Sequence, residues 1–482
     1  MTGTDYATSL FCGGKRGLVS NATVDHADGL ISAIAAGRIP EGSGAKGRRL
    51  IIPALVNAHD HARPSMTSFG GANMPLETWI ARSVFGTPPD PYLAAAASLG
   101  RSARAGCAAM MVHYTRPSGT MALVEEATAI ARAAKDVGIR IAFALAVRDQ
   151  NPLVYGDHAD LLAQMPGEAR HTIEELFTRP ALPPAAYLDL IEAISTAISG
   201  PMVDVQYGPA GVQWCSPALL EAIAERSAVT GRRVHMHLLE TRHQRIYADQ
   251  TFPGGILRYL KDIGLLSPRL TLAHCVHARP DELDMIAEAG ATIVTNFSSN
   301  LHLHSGLAPM AEAYDRGCRI AVGVDGVALD EDDDILREMR LVQIMHDGTG
   351  FNRRWSRADF LGQVIKAGRA TTGAPGDGVL APGAAADFIS LDLDYLDRDA
   401  IMPVDPLDLL FARGNSLAIK DVVVAGRTIV RDGTLTGIDL AAVETELRIL
   451  YRQSVPRFAA FEKAWRPFEA GISGWFAMQG CC

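Results

Sequence analysis

Eight short apolar runs recur along the middle of the chain, each ending in polar residues and most followed by an Ala-rich stretch with helical spacing. They are IIPALVNAHDH (51–61), CAAMMVHY (107–114), RIAFALAVRDQ (140–150), VDVQYGPAG (203–211), RRVHMHLLE (232–240), LTLAHCVH (270–277), ATIVTNFSSN (291–300) and RIAVGVDG (319–326). Runs of this length, rich in Val, Ile and Leu, read as buried strands. Between them lie helical patterns such as PALLEAIAERSAVTG and PDELDMIAEAG, each closing near a glycine as helices do. Strand and helix alternating eight times over roughly 320 residues predict an α/β fold, a (β/α)8 TIM-like barrel with insertions. The polar residues fall at the carboxyl ends of the runs, the face where such barrels carry their chemistry.

The flanks have a different period. Residues 1–50 and 375–437 read as short strands with Gly turns, among them VLAPGAAADFISLDLD and KDVVVAGRTIVRDG. Two separated β segments predict one small β-sandwich domain built from both chain ends, with the barrel over 51–374. Residues 438–482 return to a helical period as a tail, and 151–200, containing PALPP, is long for a βα connection and suits a lid.

Composition removes several classes of function. The 482 residues are 48% hydrophobic and 21% charged, with a net charge of -9 and no basic stripe, which argues against nucleic acid as a partner. No apolar stretch reaches membrane-spanning length, and the N-terminus lacks a signal-like segment, so a cytoplasmic protein without a membrane partner is expected. The seven cysteines, without CxxC spacing, fit reduced thiols; adjacent Cys481 and Cys482 read as an incidental tail.

The first run ends in His59-Asp60-His61. Along a strand, residues two apart share a side, so both imidazoles face the barrel lumen while Asp60 faces outward. HxH alone is weak, since a lone buried His is more often a hydrogen-bonded core residue than a ligand. The pattern returns at the fifth run as His235-Met236-His237-Leu238-Leu239-Glu240, the sixth holds His274 and His277, and the eighth Asp325. Imidazoles and a carboxylate converging from four strand ends are costly as unpaired packing and point to a metal site.

The set PALVNAHDH, HMHLLET, AHCVH, SSNLHLHSGLAP and GVDG resembles the amidohydrolase superfamily, in its mononuclear branch of adenosylhomocysteine and guanine deaminases and atrazine-type triazine hydrolases. LAPGAAADF is similar to that family's return strand. The resemblance implies that His59, His61, His237 and Asp325 bind one divalent metal, Zn2+ or Fe2+, that Glu240 shuttles protons, and that His274 contacts the water or oxyanion. Binuclear members need a carbamylated lysine on the fourth strand; VDVQYG has none, so one metal is expected. Such a metal brings the pKa of a coordinated water to about 7. Asp325 would accept its proton, Glu240 would relay one to a ring nitrogen and then to the leaving group, and His274 would stabilise the oxygen. The implied function is hydrolysis of a C–N bond in a small heterocycle, foremost a hydrolytic deamination. Dechlorination, dealkylamination or cyclic-amide opening is the alternative, and a catalytically silent scaffold is the reading from another class. A homodimer is expected by analogy.

Other positions keep two readings. Asn300 is a loop-stabilising residue or a substrate contact, His302 and His304 are rim residues or substrate contacts, and His113 enters the pocket or stays structural. His235 and His277 are expected to support the ligands. Gln213 and Trp214 follow Gly208-Pro209, where several family deaminases place a substrate-contacting histidine. They suit a flat heterocycle or serve packing, and the missing histidine counts against a nucleoside. The loop holding Arg63 and Trp79 closes over the pocket or makes an oligomer contact. The acidic run Asp330-Glu331-Asp332-Asp333-Asp334 is expected to be a solvated helix N-terminus.

Overall fold

A computed structural model describes residues 2–14, 17–37, 47–63, 66–326 and 331–479, so Cys481 and Cys482 lie outside the described residues. Eight parallel strands follow one another in sheet order: Leu55–Asn57, Cys107–Tyr114, Arg140–Val147, Val203–Pro209, Val234–Leu238, Leu270–His274, Thr292–Thr295 and Arg319–Val322. The first and last are joined where the Ala58 amide donates to the Val322 carbonyl at 3.0 Å, which closes the barrel. Helices such as Leu123–Val137, Pro217–Thr230 and Arg357–Thr372 cover it. Several end on a glycine with left-handed φ, Gly138, Gly231 and Gly373 among them.

The second sheet combines both chain ends as a separate domain, in the order Thr434–Leu435, Arg427–Arg431, Ile419–Val424, Phe388–Asp392, Arg49–Pro53, Thr2–Phe11, Leu18–Ala27, Leu30–Ala36. The apolar run at 51–61 is therefore two strands. Its beginning pairs with Phe388–Asp392 in this sheet, and only Leu55–Asn57 enters the barrel. The return segment also holds two helices, Leu393–Leu396 and Pro406–Arg413. Buried Asp387 ties the parts together, accepting from Arg140 at 2.8 Å and Arg369 at 2.9 Å.

The 151–200 segment folds as helices Ala159–Ala163, Gly167–Phe177 and Pro184–Ile198. The first two share a core with the C-terminal helix Ala459–Gln479, built from Leu161, Ile173, Phe177, Phe461, Trp465 and Phe468. The tail is thus a structural part of the barrel's upper face. Among the described residues no helix is long and apolar enough to cross a membrane. Cys107, Cys215, Cys275 and Cys318 are buried and form no disulfide.

The acidic run departs from expectation. Asp333 and Asp334 are buried, at 6% and 3% exposure. Asp334 caps helix Ile335–His346 by accepting from the Leu336 amide at 3.1 Å, and it also accepts from the Ser416 amide at 2.8 Å. Burial, and then the nearby Asp60 carboxylate, push Asp333 up from 3.8 to about 8. Between those values the folded protein holds a proton that the unfolded chain has lost, so stability falls as pH rises through that window. Asp333→Asn removes the penalty. The thermal midpoint of the variant relative to wild type should climb between pH 4 and pH 8, reaching about 2–4 °C; a flat difference across that range would refute the assignment.

Candidate active site

The chain leaves several barrel strands through strained backbone. Ala62, Leu239, His274, Cys275 and Asp325 have φ of 48°, 51°, 77°, 50° and 63°, a left-handed region that non-glycine residues occupy only when the surroundings hold them there. At the eighth strand, a Cβ on Gly323 would come within 2.4 Å of Asn296 Oδ1 and 2.9 Å of the His59 backbone nitrogen, so only glycine lets this strand pass so near His59.

His59 and His61 lie beyond the end of the first strand, yet both reach the same atom. Their Nε2 atoms are 3.1 Å and 2.9 Å from Asp325 Oδ1. Asp60 does not face solvent. Its carboxylate is fully buried, accepting from Asn57 Nδ2 at 2.9 Å and from the His61 and Ala62 amides at 2.7 Å and 2.9 Å, which fixes the turn carrying the two imidazoles.

Each imidazole is oriented through its second nitrogen. His61 Nδ1 donates to the His113 carbonyl at 2.7 Å and His237 Nδ1 to the Ala210 carbonyl at 2.8 Å, which leaves both Nε2 lone pairs aimed inward. His274 Nδ1 meets Asn300 Oδ1 at 2.8 Å, and His59 Nδ1 meets His235 Nε2 at 2.7 Å. Burial holds His59 down to about 4 and keeps His235, His237 and His113 well below the ordinary histidine range, so these rings are neutral. Burial alone would raise Asp325, but its contacts with His59 and His61 outweigh that and keep it ionised. Its other oxygen accepts from Ser299 Oγ at 2.5 Å.

This donor set suits a divalent cation. The ligand atoms of His59, His237, His274 and Asp325 all lie within 4.8 Å of one another, each of them buried. Neutral imidazoles with one carboxylate are what Zn2+ and Fe2+ accept. His61 reaches the same carboxylate oxygen and groups with His113 and His237, beside the set formed by His59, His237, His274 and Asp325.

Glu240 follows the fifth strand and is 2% exposed, with Oε2 3.7 Å from His274 Nε2. Burial, then the negative charges of Asp325 and Glu77, push its carboxyl well above the usual range. Its amide donates to Gln244 Oε1 at 2.9 Å. Glu77, not singled out by the sequence, accepts from Thr241 Oγ1 at 2.6 Å and Tyr155 OH at 3.2 Å.

These residues form the floor of a cavity of about 560 Å3, whose lining includes His61, His237, Glu240, His274 and Asp325. Arg63, Trp79 and Trp214 line it as well. Gln213, His113, Asn300, His302 and His304 do not. Gln213 is fully buried, His113 Nε2 is 3.3 Å from the Gly208 carbonyl, and Asn300 holds His274. His304 pairs with Asn73 at 2.9 Å, and His302 ends the short helix Phe297–His302, where the seventh run had been read as strand to residue 300. His277 holds the Ser305 carbonyl at 2.9 Å. Leu176 and Arg179 from the 151–200 insertion and Arg457 and Phe458 from the tail complete the wall. Nothing local in the sequence marks them, because they come from helices docked far from the barrel strands in the chain.

A closed (β/α)8 barrel with neutral imidazoles and one ionised carboxylate gathered at its carboxyl-terminal rim defines a barrel hydrolase. The chain belongs to the amidohydrolase family, whose model matches residues 50–429, and is an enzyme acting on C–N bonds. It is 28% identical over 446 residues to a 5-methylthioadenosine/S-adenosylhomocysteine deaminase of Nitratidesulfovibrio vulgaris, covering 91% of this chain and 94% of that protein. It is 29% identical over 404 residues to an 8-oxoguanine deaminase of Pseudomonas aeruginosa, covering 82% and 85%. In fold it matches an atrazine chlorohydrolase from Arthrobacter aurescens crystallised with zinc and atraton, with a TM-score of 0.75, 23% identity and coverage of 92% and 98%.

Proposed function

We propose that the chain is a mononuclear metal-dependent aminohydrolase that releases ammonia from a small amino-substituted heterocycle. One observation carries this reading: a buried carboxyl of raised proton affinity, Glu240, stands beside a cluster of neutral imidazoles and an anionic Asp325 at the floor of the cavity. His59, His61, His237 and Asp325 would hold one divalent ion, zinc or iron, whose Lewis acidity makes a coordinated water acidic near neutral pH.

The chain's own groups then divide the proton work. Asp325 accepts a proton from the attacking water. Glu240 gives its proton to the ring nitrogen as the C–O bond forms, takes up the hydroxyl proton of the tetrahedral carbon and passes it to the departing amine as the C–N bond breaks, and the proton held on Asp325 then returns to Glu240. His274, its Nδ1 fixed by Asn300, faces the oxygen that gains charge in the tetrahedral stage. The wall aromatics Trp79 and Trp214 offer planes for a flat ring. The deaminase activity of the two relatives supports this choice of leaving group. The same reading places the enzyme in the cytoplasm as a homodimer.

The test is ammonia release from metal-loaded protein offered aminopurines, pterins, aminopyrimidines and aminotriazines, with Glu240→Gln as the blank. Release that disappears in the variant supports the proposal. Absence of ammonia from every ring, with chloride or alkylamine appearing instead, would overturn it.

A further inference from the structure

The cavity wall carries far more positive charge than the chain as a whole. In a protein of net charge -9, Arg63, Arg116, Arg148, Arg179 and Arg457 all line this one cavity. None is ion-paired with a carboxylate among the described residues.

Three of them form a continuous surface, because they follow three adjacent barrel strands. Arg63 comes after Leu55–Asn57, Arg116 after Cys107–Tyr114 and Arg148 directly after Arg140–Val147. His237, Glu240, His274 and Asp325 come from the fifth, sixth and eighth strands. Arg63 stands near Asp325 and Glu240, whose negative charges act on it, whereas the charges that act on Arg116 are the like ones of Arg148 and Arg63.

The wall is built and not merely decorated. Arg63 lies over the Trp79 ring at 4.7 Å and donates to Thr115 Oγ1 at 3.4 Å, while its buried Nε has no partner. Arg116 donates to the Ile80 carbonyl at 3.2 Å and to the Ser83 hydroxyl, and its buried Nε is likewise unpartnered. Arg148 reaches into the cavity with no ion pair among the described residues. Burial, and then the like charges of Arg148 and Arg63, push Arg116 down to about 9. Guanidiniums held side by side, of which only Arg63 stands near carboxylates, repel one another, and a ligand oxyanion offsets that repulsion through bidentate contacts.

We propose that Arg63, Arg116 and Arg148 form an anion-binding wall, and that the substrate is an amino-heterocycle carrying an oxyanion group, a carboxylate or a phosphate, opposite the amino group that is lost. This rests on the aminohydrolase reading for the reacting end only. Arg179 and Arg457, nearer the docked helices, add field that draws such an anion in.

The experiment uses metal-loaded protein and matched probes: pterin against pterin-6-carboxylate, and adenosine against adenosine 5′-monophosphate. Ammonia release gives kcat/KM, and tryptophan fluorescence titration gives binding independently of turnover, since Trp79 and Trp214 line the same wall. The expected result is that one charged probe exceeds its uncharged counterpart by roughly 10–100-fold, and that Arg148→Gln collapses this ratio toward one. Arg116→Met should do the same; because Arg116 is half-buried and bonded to Ile80 and Ser83, the exposed Arg148 carries the test if that variant fails to fold. Preference for pterin-6-carboxylate makes the group a carboxylate, and preference for adenosine 5′-monophosphate makes it a phosphate. Ammonia from the uncharged rings with a ratio that Arg148→Gln leaves unchanged would overturn the anion wall and leave the aminohydrolase standing. Arg148-dependent binding of a charged probe with no ammonia from any compound would support the wall and remove deamination.

Discussion

Glu240→Gln should keep its fold and its metal while kcat falls by about 10^3-fold, within the span that proton transfer by a placed side chain supplies. The substitution is nearly isosteric at a position only 2% exposed, and the amide contact to Gln244 is made by the backbone, so packing is preserved. What disappears is a carboxyl whose proton affinity is raised by burial and by neighbouring Asp325 and Glu77. Glutamine at the same distance from His274 can neither take up nor release a proton. The paired measurement is kcat together with metal content by atomic emission. A variant turning over near the wild-type rate would remove Glu240 from the proton path.

His237→Ala should lose the metal and the activity together, with affinity for zinc weakened by about 100-fold or more. The ring is buried, neutral, and locked by the Ala210 carbonyl so that Nε2 faces Asp325 and His274. Alanine deletes that donor and leaves the remaining imidazoles too few to close the site. Equilibrium dialysis against zinc checks it, and a full complement of metal in the variant would show that His237 is not a ligand. The two variants report on different links, since one separates turnover from metal content and the other moves both.

Much of this was legible from local pattern. Apolar runs with polar ends announced the barrel strands, because a strand buried on both faces must be continuously apolar and its end is where polar groups can begin. The same rule pointed to the strand ends that hold these histidines and carboxylates, and the family resemblance singled out His59, His61, His237, Glu240, His274 and Asp325 among them. It failed where one run served two masters. IIPALV is uniformly apolar, yet Arg49–Pro53 belongs to the outer sheet and Leu55–Asn57 to the barrel, and burial alone does not record which sheet does the burying. It failed again at Phe297–His302, a short helix inside an apolar strand-like stretch, where periodicity has too few residues to choose.

The chain's one-dimensional pattern by itself determined the barrel strands, the β segments at both ends, and the strand ends where imidazoles and carboxylates gather, since each depends on spacing within a few residues; which of those side chains act was implied by the family resemblance. Tertiary structure alone decided which partner each group meets. It buried Asp60, Asp333 and Asp334, handed Asn300 to His274 instead of to the cavity, docked the tail against the 151–177 insertion, and placed Arg63, Arg116 and Arg148 on one wall. Those outcomes depend on contacts between segments tens to hundreds of residues apart. An arginine after a strand looks the same in the sequence whether or not a counter-charge awaits it across the fold.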